Sequence, residues 1–281
     1  MMKVVTRFAP SPTGPLHLGH VAAARYARDR GQRFLVRMED IDPGRCRPAF
    51  ADAILEDLAW LGLRGDGPVR LQSAHLPDYA AALQRLRDRG LLYPCFCTRA
   101  DIQREVSSAG HAPHAPDGAP LYPGTCRGRS ASERAARIAA GEPHAWRLDM
   151  AAATARTGPR SFHEAGQGRL ACDPAAFGDV VLGRKDTPSS YHLCVTHDDA
   201  LQGVTLVTRG QDLLPATAVH RLLQALLGWP EPGYSHHGLL LGPDGRRLAK
   251  RDGALAVAAL REAGMTAAEV LRRAEVAPAA N

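Results

Sequence analysis

Two imidazoles, His17 and His20, stand three residues apart behind the proline-rich run Pro10-Ser11-Pro12-Thr13-Gly14-Pro15. At i and i+3 of a helix they point the same way, and a helix mouth attracts phosphate through its unpaired N–H groups and its dipole. The prolines stiffen the turn, while Gly14 and Gly19 let the backbone come close to a ligand. Both rings can then donate to one phosphoryl group. A bare His-x-Gly-His is short, and a helix start whose histidines merely cap and meet solvent has the same pattern.

The elements around this run argue for phosphate. Lys3 to Phe8 is a short β-branched run, apolar positions from His17 to Arg30 recur at helical spacing, Gly31 ends that helix, and Arg33 to Met38 reads as a second strand. A strand–loop–helix–strand unit implies parallel strands with a right-handed crossover, and such sheets bind ligands beyond their carboxyl ends. The loop Ala9–Leu16 and the acidic tip Glu39-Asp40-Ile41-Asp42 are therefore expected to face one another across a cleft. Helical patterns follow at Ala49–Leu61, Tyr79–Arg89 and, opened by a capping serine, Ser130–Ala140. Between them Leu92–Arg129 is rich in Cys, Pro, Gly and His, too long for an unsupported loop, so something should hold it together. Short strands are expected at Ala145–Leu148, Asp179–Leu182 and Val204–Val207, and an amphipathic helix at Asp212–Leu227. Leu239–Lys250 reads as a strand, a Pro-Asp-Gly turn and a return, and helices at Leu255–Ala263 and Ala267–Ala274 close the chain.

The 281 residues, 45% hydrophobic and 23% charged, can bury a full core. A formal charge of +6 permits an anionic partner such as RNA without requiring one. Lys3 and Arg7 in the opening run exclude a signal peptide, and no stretch approaches the roughly 18 apolar residues of a membrane span. A cytoplasmic chain with reduced thiols is expected, and Cys46, Cys172 and Cys194 read as small half-buried residues.

Arg7-Phe8-Ala9-Pro10-Ser11-Pro12-Thr13-Gly14 with His17-Leu18-Gly19-His20 resembles the opening of the glutamyl-tRNA synthetases, class I enzymes. Four further matches run in order: Glu39-Asp40-Ile41-Asp42, Tyr191-His192-Leu193 before Asp198-Asp199, Gly203-Val204-Thr205 through Arg209-Gly210-Gln211-Asp212-Leu213, and Arg247-Leu248-Ala249-Lys250-Arg251. The resemblance implies ATP carried with Mg2+ against Pro10, Thr13, Gly14, His17, Gly19, His20, Arg247 and Lys250, with His17, His20 and Lys250 catalytic. It implies L-glutamate held by Arg7, Ala9, Ser11, Glu39, Tyr191 and Arg209: arginine forks for carboxylate, Glu39 for the ammonium, Ser11 and Tyr191 for neutral hydrogen bonds. The lysine loop departs from the family, with Arg247 in place of its first lysine and Ala249 in place of its serine. A cation on that turn can follow charge developing on pyrophosphate, although an exposed basic hairpin looks the same.

Cys95, Cys97 and Cys126 fit no common Cys-x-x-Cys zinc spacing. The short members of the family carry a Cys-x-Cys…Tyr-x-x-x-Cys zinc site, so the resemblance implies one structural Zn2+ on Cys95, Cys97, Tyr122 and Cys126. His111 or His114 could replace the phenolate, and three reduced thiols share the spacing.

About thirty residues follow Lys250, where family members that charge their own tRNA continue into an anticodon-reading domain. The expectation is a Rossmann-like α/β class I core at 1–92 and 186–245, a zinc-bearing α+β insertion resembling an acceptor-binding domain at 93–185, and a lysine-loop and helical stub at 246–281. The resemblance to the short branch implies a monomer that makes glutamyl-adenylate without tRNA and transfers glutamate to queuosine at the wobble position of tRNA(Asp). Alternatives are a truncated glutamyl-tRNA synthetase charging a 3′-terminal adenosine, or an inactive RNA-binding paralogue.

Overall fold

The structure is a computed structural model that describes residues 3–108, 114–240 and 256–279. β1 (Val5–Phe8) and β2 (Arg33–Met38) pair in parallel, Thr6 beside Phe34 and Phe8 beside Val36, with α1 (Leu18–Arg30) as the crossover. All four residues of β1 and the last five of β2 are buried, as expected of parallel strands covered on both faces. Small residues on α1, among them Ala22, Ala24 and Ala27, let it lie close to this sheet. β3 (Arg70–Leu71) extends the β2 edge.

A second sheet runs in the order β7 (Gly168–Ala171), β6 (Ser161–Glu164), β10 (Gly233–His237), β9 (Leu206–Gly210), parallel except for the β6–β7 hairpin. The Thr205 N–H donates to the Val5 carbonyl at 3.0 Å, and the Val5 N–H donates to Thr205 Oγ1 at 2.9 Å. These bonds join the two sheets edge to edge. β6 and β7 lie inside the stretch expected as an insertion, yet they extend the sheet of β9 and β10. The remainder of that stretch forms a third sheet, β4 (Leu92–Cys95), β5 (Ala145–Leu148) and β8 (Val181–Gly183), all antiparallel.

α2 (Pro48–Trp60), α3 (Leu76–Asp88) and α5 (Ala131–Ala139) fall close to their expected positions, and Ser130 Oγ accepts the Glu133 N–H at 3.2 Å as the α5 cap. Unexpected from periodicity are α4 (Arg99–Ser108) and α6 (Met150–Thr157). After α7 (Tyr191–Leu201) comes α8 (Thr217–Leu227), which starts later than expected because a 3-10 turn at Gln211–Leu213 and Pro215 precede it. α8 is the expected amphipathic helix, but its polar side does not meet solvent. Every residue but Ala225 is buried, and its polar stripe of His220, Arg221 and Gln224 points inward. Among the described C-terminal residues, α9 (Val257–Glu262) and α10 (Ala267–Arg273) bury Val257, Leu260 and Val270 in one cluster with Val21 and Phe34. No helix among the described residues is long and apolar enough to cross a membrane.

Candidate active site

A cavity of about 530 Å³ opens beyond the carboxyl ends of β1, β2, β9 and β10, where a parallel sheet is expected to take its ligand. It is lined by Arg7, Ala9, Pro10, Ser11, Thr13, His17, Gly19, His20, Glu39, Tyr191 and Arg209. Gly14 is buried outside that lining. Arg247, Lys250, the expected hairpin turn and His111 lie outside the described residues.

Local geometry orients the histidines. His17 is the N-cap of α1: its Nδ1 accepts the Gly19 N–H at 3.2 Å, and His20 Nδ1 accepts the His17 N–H at 3.3 Å. The rings stack with centroids 3.8 Å apart. With Nδ1 of each accepting from backbone, the neutral ring carries its proton on Nε2. The helix mouth is thus capped by its own histidines. A Cβ on Gly19 would come within 3.1 Å of the His17 ring.

The loop and the acidic tip lie side by side, since the Glu39 N–H donates to the Pro10 carbonyl at 2.9 Å. Only Glu39 of the tip lines the cavity. Asp40 accepts from the Ser73 N–H at 2.8 Å and from its hydroxyl, while Asp42 accepts from the Gly44 N–H and pairs with Arg45 and Arg184. Those two acids brace loops instead of facing a ligand.

Beneath Glu39 is an ionic layer that the motif reading did not assign to the site. Arg37 is fully buried, 2.9 Å from Asp199, 3.8 Å from Glu39 and 3.9 Å from Asp198. The same Asp199 oxygen accepts from Arg7 Nε at 2.8 Å. Burial opposes charge on Asp199, but Arg7 and Arg37 more than offset it and hold its pKa below the usual carboxylate range. Asp198 accepts from Arg70, Gln72 and Tyr79, each at 2.9 Å, and its pKa is lowered too. Burial pushes the Glu39 carboxyl up to about 7, with Arg37 and Arg7 pulling it back.

Arg209 has a different surrounding. Its guanidinium donates to His236 Nε2 at 3.1 Å, His220 Nδ1 at 3.0 Å and Thr217 Oγ1 at 2.7 Å. Burial first, and Arg209 second, lower the His220 pKa well below its ordinary value. Arg209 was legible from the sequence; its histidine partners, on α8 and β10, were not.

In the third sheet, Cys95, Cys97 and Cys126 bring their sulfurs within 4.8 Å of one another. The Cys97 and Cys126 sulfurs are 3.5 Å apart, and the Tyr122 hydroxyl is 3.6 Å from Cys97 Sγ. A tetrahedral zinc with bonds of about 2.3 Å holds sulfurs about 3.8 Å apart, so the donor set fits such an ion. Burial raises the Cys126 pKa, but hydrogen bonds from Tyr122, the Phe96 N–H and Cys97 outweigh it and bring the thiol down to about 7.

A family model described as tRNA synthetases class I (E and Q), catalytic domain, matches residues 3–275. The chain belongs to this class I tRNA synthetase family. A Glutamyl-Q tRNA(Asp) synthetase of Rhodobacter capsulatus is 48% identical to it, over 96% of this chain and 99% of that one. One of Nocardia farcinica is 46% identical, over 94% and 81%. Among solved structures, a glutamate tRNA ligase from Elizabethkingia meningosepticum, in complex with its amino acid, superposes with a TM-score of 0.76 and 30% identity. The match covers 90% of this chain and 53% of the ligase, so the chain spans about half that enzyme's length. A Mycobacterium tuberculosis methionyl-tRNA synthetase, 16% identical with a TM-score of 0.56, shares the fold. The family model and the Rhodobacter and Nocardia relatives place the protein among ligases of the aminoacyl-tRNA synthetase type.

Proposed function

We propose that this enzyme activates L-glutamate with Mg–ATP as glutamyl-adenylate, without tRNA, and transfers the glutamyl group to queuosine at the wobble position of tRNA(Asp). The observation that carries the reading is one cavity holding the paired imidazoles His17 and His20, the acid Glu39 and the cations Arg7 and Arg209. Those charges suit an amino acid with one ammonium and two carboxylates bound beside a nucleotide triphosphate. The names of the Rhodobacter and Nocardia relatives support the queuosine acceptor.

In this reading Glu39 accepts from the ammonium, while Ser11 and Tyr191 supply neutral hydrogen bonds along Ala9. Tyr191 stays 37% exposed at the cavity mouth, within reach of an incoming substrate. The α-carboxylate attacks the α-phosphorus of ATP and pyrophosphate leaves. His17 and His20 donate from Nε2 to the phosphates, with Pro10, Thr13, Gly14 and Gly19 shaping their cradle, and Lys250 with Arg247 neutralises the leaving charge. A queuosine hydroxyl then attacks the mixed anhydride, forming an ester and releasing AMP.

Cys95, Cys97, Tyr122 and Cys126 hold one structural Zn2+, which would cross-link the end of β4 to the turn at Cys126. Residues 1–92 and 186–245, with the β6–β7 hairpin added to their sheet, form the catalytic unit, the rest of 93–185 the RNA-facing insertion and 246–281 the lysine loop and helical stub of a monomer. The test supplies labelled glutamate, ATP and total tRNA, with and without queuosine, and digests the product to nucleosides. Label on the queuosine nucleoside is expected. Label on the terminal adenosine would overturn the acceptor, and failure to form adenylate would overturn the activity.

A further inference from the structure

We propose that His220 and His236 set the preference for a carboxylate over a carboxamide side chain, because they hold Arg209 with neutral acceptors and leave its charge for the substrate to balance. The inference rests on the reading that glutamate occupies the cavity with its side-chain carboxylate toward Arg209.

Arginine has only donors, so any ring nitrogen facing it must be an unprotonated acceptor. His236 Nε2 and His220 Nδ1 both face Arg209, at 3.1 and 3.0 Å. The proton of each ring is therefore on the far nitrogen. His236 Nδ1–H donates to Glu164 Oε2 at 2.8 Å, and His220 Nε2–H donates to His192 Nδ1 at 3.1 Å. The polarity of the whole chain starts at the guanidinium and runs outward. Glu164 is held at its second oxygen by the His236 N–H at 2.7 Å, so its charge stays one imidazole away from Arg209.

Beneath the same cavity lies the opposite arrangement. Arg7 and Arg37 share Asp199 at 2.8 and 2.9 Å, so each has an acid partner inside the protein. Among the described residues no acid lies within ion-pair distance of Arg209, although it is only 6% exposed. Thr217, His220 and His236 take three of its five donors, leaving two for a ligand. A buried cation with neutral neighbours is costly until an anion arrives. A carboxylate supplies that anion and a carboxamide of the same shape does not.

His220→Asn and His220→Asp form the decisive pair, since both side chains accept where Nδ1 does and only one brings a charge. A competing carboxylate beside Arg209 should raise KM for glutamate by about 100-fold in His220→Asp, with kcat changed less, and shrink the glutamate-over-glutamine ratio by a similar factor. His220→Asn should cost less than about tenfold in KM and keep the ratio. A merely structural role would make the two variants alike, and that result, or an unchanged ratio in His220→Asp, overturns the proposal. Nitrogen-15 NMR of the unaltered protein reads the brace without any variant. It should find His220 protonated only on Nε2 and His236 only on Nδ1 near neutral pH; the other tautomer or a doubly protonated ring overturns it. Should the unaltered protein make no glutamyl-adenylate, the glutamate reading itself fails, whatever the NMR shows.

Discussion

Glutamate binding should weaken as pH falls, and Glu39 makes the size of the effect calculable. Its side chain is 11% exposed and 3.8 Å from Arg37. Burial raises its pKa to about 7, Arg37 and Arg7 lower it, and Asp199 and Asp198 raise it. Only the ionised carboxylate can meet an ammonium. Because the pKa in the free site is raised, protonation at lower pH removes the binding-competent form. Kd then scales as 1 + 10^(pKa − pH), so going from about pH 8 to about pH 5.5 weakens binding by about 30-fold, or about 2 kcal/mol. The ligand's own side chain, with a pKa of about 4.3, stays ionised throughout. Calorimetric titration of the ATP-free protein with glutamate measures this, and near pH 6 binding should release close to one proton to the buffer. Glu39→Gln should bind weakly with a flat profile. A wild-type Kd constant within about threefold over this range, or the same slope in Glu39→Gln, would refute the reasoning.

Three other outcomes are expected. Asp199→Asn removes the carboxylate that the buried Arg7 and Arg37 share and leaves Arg7 without its acid partner, which should lower unfolding free energy by about 3–5 kcal/mol, read from urea denaturation; an unchanged midpoint would count against the ionic layer. Cys126→Ser should lose most of the zinc found by elemental analysis of the unaltered protein, with a fall in Tm, because metal and fold are linked; unaltered protein with far less than one zinc per chain removes the site. His20→Ala should slow glutamate-dependent pyrophosphate exchange by about 10²–10³-fold with KM for glutamate little changed, and a proportional rise in that KM would place His20 elsewhere.

What the sequence by itself determined was the local part. The run Pro10 to His20, followed by a helix and a second strand, is a contiguous unit whose spacing specifies a parallel pair, and a cavity lies at its carboxyl end. Arg7, Glu39 and Arg209 could be named because the motifs that carry the family resemblance include them. Helix pattern placed α1, α2 and α3, since 3.6-residue periodicity is read from neighbours.

Tertiary structure decided everything that depends on partners distant in the chain. Helical spacing gives α8 an apolar and a polar side but not what the polar side meets, and packing turns His220 and Gln224 onto Arg209 and Tyr234. β6 and β7 carry too little apolar alternation to announce themselves, and become strands because β10 offers an edge. The three sulfurs converge only because β4 brings Cys95 and Cys97 against a turn some thirty residues on. Asp199 compensates Arg7, and among the described residues no acid comes within ion-pair distance of Arg209, for the same reason. Charge balance in a buried site is set by which side chains the fold brings within about 4 Å, where the low dielectric gives each pairing its weight, and no spacing along the chain encodes that.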